Sequence, residues 1–148
     1  MIKRTAHNLT WGPIFIIGVI ANILGLAWFI HKEPWLLDRT SNEALIQTSF
    51  SFLFSKKINI GLPFYLTTIY RFFGLWLMTI GSLIISFVYV TRLGTKTARN
   101  SIFLILIATL LLIYYLVFNY LPYSTLTPIL HFVALCLAFS IYFSKYLS

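Results

Sequence analysis

The chain has 148 residues, of which 59% are apolar, 18% aromatic and only 9% charged, with eleven basic side chains against three acidic ones. Soluble domains carry about 25% charged residues, so this complement cannot cover a water-soluble globule of the same size. A soluble enzyme, a disordered chain and a nucleic-acid-binding domain are thereby excluded, and the chain reads as one integral membrane domain.

Four apolar stretches approach the roughly 20 residues that a membrane span needs. The first covers residues 11–30. Lys3 and Arg4 precede it, as in a signal peptide, but it exceeds the usual apolar core of one. Its exit, Trp28 to Lys32, also offers no small-residue cleavage site, so it is expected to stay as a first helix. A connection from His31 to Pro63 follows. Pro34 should end the helical run there, Ser41-Asn42-Glu43 reads as a cap, and residues 44–54 are apolar enough for a short helix at the membrane interface. The second span covers residues 64–90 and contains one charge, Arg71. A short basic turn, Thr91 to Asn100, leads to the third span at residues 101–121. The tight, uncharged turn that follows is bracketed by Pro122 and Pro128. It returns the chain as a hairpin into a fourth span at residues 127–143. The expected fold is an all-α, antiparallel four-helix transmembrane bundle with a short helix in its first extramembrane loop.

Charge placement predicts orientation. The side of the termini and of the second connection holds Lys3, Arg4, Arg92, Lys96, Arg99 and Lys145 and no acid, whereas Glu33, Asp38 and Glu43 all lie on the other side with four bases. The positive-inside rule then puts both termini in the cytoplasm. The net charge of +8 fits attraction to anionic lipid headgroups, since the bases flank spans.

A polar or small residue inside a span is expected to face its neighbours. Spaced at 100° per residue, Gly18, Asn22, Gly25 and Phe29 form one stripe, and Thr67, Arg71, Gly74, Met78, Gly81 and Ser82 a second. Ser101, Ala108, Leu112, Tyr115 and Asn119 form a third, and Thr127, His131, Leu135, Ala138 and Tyr142 a fourth. All four should meet in the bundle, with Gly18, Asn22, Gly25, Gly74 and Gly81 as helix-packing positions. At the outer end, Arg71, Tyr115, Asn119 and His131 are expected to converge on a pocket. Arg is suited to hold an anionic group there because its planar fork binds carboxylate or phosphate in two places.

Other chemistries fit less well. A single cysteine, Cys136, excludes paired-thiol redox work. His31 and His131 follow no haem-ligand pattern and no short metal-ligand spacing, so no cofactor or metal is assigned. No Asp or Glu lies inside a span, which argues against a proton-coupled transporter, and no G-x-S-x-G is present.

The run Arg71-Phe72-Phe73-Gly74-Leu75-Trp76-Leu77, continuing to Gly81, resembles the pattern that opens the second helix of small bacterial four-helix membrane proteins of the DoxX-like kind. Four spans, a long first loop and a short final hairpin fit that group. The resemblance implies a bacterial inner-membrane protein. Two functions follow as expectations: a non-enzymatic accessory or assembly protein with a membrane partner, or a protein or enzyme binding a lipid or quinone near Arg71.

Overall fold

The computed structural model describes residues 3–121 and 123–147. It is all-helical, with no strand among the described residues: α1 (Lys3–Ile30), α2 (Arg39–Ile46), α3 (Phe50–Ser55), α4 (Leu62–Thr91), α5 (Lys96–Tyr120) and α6 (Thr127–Ser144), with short 3-10 turns at Pro34–Asp38, Lys57–Asn59 and Lys145–Leu147. The stretches Lys3–Ile30, Lys57–Thr91, Lys96–Tyr120 and Thr127–Leu147 are long and apolar enough to cross a membrane. Pro128 lies in the first turn of α6, where its missing N–H costs nothing. Pro122 is outside the described residues.

α1 is the centre of the packing. It lies along α4 over most of its length and along α6 on another side, while α5 joins mainly through α6. The largest apolar cluster gathers Ile14 and Ile17 of α1, Ile84 and Val88 of α4, Leu93 after it, Ile102, Phe103, Leu106 and Leu110 of α5, and Leu137 of α6. It occupies the half of the bundle nearest the termini. Other contacts tie this end together. The Ser140 hydroxyl donates to the Thr10 carbonyl, three residues before Pro13, which interrupts the donor ladder of α1. The Arg92 guanidinium lies over the rings of Trp11 and Tyr89, 5.1 and 5.2 Å from their centroids.

The basic turn between α4 and α5 is built from two left-handed non-glycine residues, Arg92 and Leu93. Arg99 stabilises it. Predicted as a headgroup-facing charge, Arg99 is only 5% exposed and donates from one nitrogen to the carbonyls of Leu93 and Gly94, each at 3.2 Å. Thr95 caps α5 by accepting from the Ala98 amide.

The long connection folds into a cap. The single helix predicted at residues 44–54 is two helices, because Gln47 turns left-handed and ends α2, and Ser49 starts α3 by accepting from the Phe52 amide. Ser41, Asn42 and Glu43, read as a cap, lie inside α2. Beneath them Trp35 packs against Phe50 and Phe54. α4 outlasts α1 at this end. Gly74 meets Gly25, and α4 continues twelve residues beyond that contact while α1 continues five, a difference of about 10 Å at 1.5 Å per residue. The Pro34–Asp38 turn packs on α4 at this end.

Candidate functional site

The predicted helix-packing positions lie where α1 meets α4. A Cβ on Gly18 would stand 2.9 Å from the Gly81 carbonyl oxygen, and one on Gly25 2.6 Å from that of Gly74. Both pairs are spaced by seven residues, two helical turns, which puts each pair on one face and suits shallow packing near 20°. Asn22 sits between the glycines. Its amide donates to the Gly18 carbonyl at 3.1 Å, and its oxygen accepts from the Ser82 hydroxyl of α4 at 3.1 Å. Backbones this close leave no room for side chains, so glycine is required by contact here.

The stripes predicted on α5 and α6 do not face the bundle. Ser101, Ala108, Leu112, Tyr115 and Asn119 are all exposed, as are His131, Leu135, Ala138 and Tyr142. α5 buries Ile102, Phe103, Leu106 and Leu110 instead. Large apolar side chains make up the buried face of α5, and Leu137 with the small Ser140 that of α6.

The four residues of the predicted pocket are not brought together. Arg71 is exposed on α4 and has no hydrogen bond or ion pair among the described residues. α4 packs on α1, and hardly on α5 or α6, where the other three members lie. Asn119 turns back to donate to the Tyr115 carbonyl of its own helix. His131 pairs instead with Tyr114, one position from the predicted Tyr115. The Tyr114 hydroxyl and His131 Nδ1 are 2.7 Å apart and the rings stack at 5.6 Å. Shared faces follow from the helical period, but helix adjacency does not, and the pocket required α4 to stand beside α6.

A polar site that sequence reasoning missed joins the cap to the α5–α6 turn. Asp38, at 6% exposure, accepts from the Ser124 hydroxyl at 2.6 Å, the Thr125 amide at 2.9 Å and the Thr125 hydroxyl at 3.1 Å. Such a buried carboxylate is stable only when its oxygens are satisfied, as these are. The available signal was an acid beside a Pro-initiated turn and a Ser-Thr pair in a tight uncharged turn, but nothing in the spacing links residues so far apart. Nearby, Glu43 accepts from the Phe50 amide at 2.9 Å and pairs with Arg39 at 3.0 Å. The Phe50 amide first, and Arg39 after it, hold the Glu43 carboxyl below the usual carboxylate range. Asn42 donates to the Trp35 carbonyl.

Among the described residues no three His, Cys, Asp or Glu gather as metal ligands. An open apolar groove of about 440 Å³ runs between α1 and α6, lined by Ile20, Ile23, Leu24, Pro128, Ile129 and Phe132. Compared with known proteins, the chain matches no family model, no curated protein and no solved structure.

Proposed function

We propose that the four long helices cross a membrane as an antiparallel bundle and that the protein is a non-enzymatic accessory or assembly factor acting by helix packing with a larger membrane partner. The observation that carries this reading is the state of α5. It packs by one face near the termini, and leaves Leu104, Ile105, Leu111, Leu112, Leu116 and Phe118 bare. Tyr114 contacting His131 is its main polar tie to α6. A helix so thinly attached offers a long face on which a partner helix can lie, and packing between helices is what drives association in lipid. The bases at the termini end and the acids at the cap support cytoplasmic termini. The likeness of Arg71–Leu77 to DoxX-like proteins supports a bacterial inner membrane.

A lipid or quinone ligand at Arg71 is the second reading, favoured by a guanidinium with no acceptor among the described residues. Native mass spectrometry of the chain extracted within its own lipid separates the two. A stoichiometric protein partner supports assembly, whereas a retained quinone or a defined lipid species supports the ligand.

A further inference from the structure

The elbow between α3 and α4 presents its large apolar side chains outward. Asn59 is turned inward and donates to the Leu53 carbonyl at 2.8 Å, and its amide donates to the Lys56 carbonyl at 2.8 Å. The apolar residues on either side of it, Ile58 and Ile60, are turned outward at 92% and 85% exposure, with Phe64 at 80%. Engaging a half-buried polar side chain internally while presenting large aliphatic ones outward is unlike an ordinary water-facing loop. The turn is held in that form by its own hydrogen bonds, so the pattern belongs to the fold.

Two lysines, Lys56 and Lys57, open the elbow, and Lys56 lies over the exposed Phe52 ring, 4.4 Å from its centroid. No acid occurs anywhere in the chain after Glu43. Asp38 is buried, Glu43 is engaged by Arg39 and Phe50, and the exposed Glu33 lies before the Pro34–Asp38 turn rather than in the elbow. The elbow is therefore basic and apolar together, the combination that recognises an anionic lipid surface. Its height is also right. α4 has 30 residues, about 45 Å at 1.5 Å per residue, which matches a bilayer of about 40–45 Å including both headgroup layers. An α4 that crosses the membrane brings the elbow to the headgroup layer of the cap-side leaflet.

We propose that the Lys56–Phe64 elbow is a lipid-binding wedge. Ile58, Ile60 and Phe64 sit at the boundary between headgroups and acyl chains, and Lys56 and Lys57 contact anionic headgroups. This rests on the chain spanning a membrane but not on the identity of any protein partner.

The test uses the full chain with its single cysteine removed, Cys136→Ala, and an environment-sensitive fluorophore on Ile58→Cys. The protein is placed in nanodiscs of zwitterionic lipid, with or without an anionic phospholipid. A second chain labelled at Leu83→Cys, on an exposed position about two turns inside the termini end of α4, reports whether the helices are inserted. The expected result is a blue-shifted emission at position 58, quenched by headgroup-level spin-labelled lipid and shielded from aqueous iodide. Anionic lipid should strengthen the shift, and Lys56→Gln with Lys57→Gln should abolish that strengthening. A position 58 label that iodide quenches as it does free dye, while position 83 remains lipid-quenched, overturns the wedge alone. Water-like behaviour at both positions overturns the membrane reading and the wedge with it. Full shielding at position 58 without any lipid quenching means that protein covers the elbow, and this too overturns the proposal.

Discussion

Gly74→Ala tests the α1–α4 crossing at its tightest point. The new methyl would stand 2.5 Å from the Gly25 carbonyl oxygen and 2.9 Å from the Phe29 amide nitrogen, both backbone atoms that no rotamer change can move. Restoring an ordinary contact near 3.5 Å requires the two backbones to part by about 1 Å, enough to forfeit a quarter to a half of the attraction between the facing atoms. Overpacking of this kind costs about 1–3 kcal/mol. Alanine's better helix propensity returns about 1 kcal/mol at most, so a net loss is expected. Gly12 is the internal control. It lies in α1 with nothing beyond its chain neighbours within 4 Å of its would-be Cβ, and Gly12→Ala should stay close to wild type, the gain in helix propensity being offset by the restriction that the following Pro13 places on a residue with a side chain. Gly25→Ala combined with Gly74→Ala should cost less than the two single changes together, because one separation relieves both. Reversible unfolding in mixed micelles at increasing dodecyl sulfate fraction, followed by circular dichroism, measures all four chains. A Gly74→Ala chain as stable as Gly12→Ala would refute the close crossing.

Three further outcomes follow from the contacts described. Asp38→Asn should cost about 1.5–3 kcal/mol, as expected for charge-assisted hydrogen bonds, and should speed hydrogen exchange at the Thr125 amide while leaving amides at the termini end unchanged. Tyr114→Phe should cost about 0.5–1.5 kcal/mol through loss of its bond to His131, whereas Tyr115→Phe should fall within about 0.5 kcal/mol of wild type; equal effects would contradict the register of α5. Folding lowers the Glu43 pKa, so its contribution is complete above the usual carboxylate range and is lost as pH falls through the lower folded value. Protection of the Phe50 amide, referenced to its intrinsic exchange rate at each pH, should accordingly fall on acidification, and Glu43→Gln should remove that pH dependence of the protection.

The four apolar helices were legible because apolar length is a strong signal. The span predicted at residues 127–143 is Thr127–Ser144, and that at residues 64–90 is Leu62–Thr91. α1 begins well before Trp11, because Lys3 to Thr10 is polar enough to leave the apolar window yet still helical. The glycines that meet where α1 crosses α4 all belong to the stripes drawn at 100° per residue. Where large residues do the packing, small-residue stripes misled, so the faces of α5 and α6 were turned the wrong way. Arg71, Tyr115, Asn119 and His131 are not brought together for a related reason: the helical period places residues on a face but does not say which helix stands beside it. The Asp38 clasp was invisible because it depends on where a 33-residue connection comes to rest.

Packing against a partner, rather than a ligand at Arg71, is the role we propose for this protein. Native mass spectrometry of chains extracted in their own lipid tests it most directly, comparing wild type with Leu112→Trp and with Arg71→Ala. Tryptophan on the bare face of α5 suits lipid but obstructs a helix packed there. A stoichiometric partner that is present on wild type and on Arg71→Ala but lost from Leu112→Trp is the predicted result. A chain that leaves the membrane without a partner, carrying a quinone or lipid that Arg71→Ala releases, would contradict it.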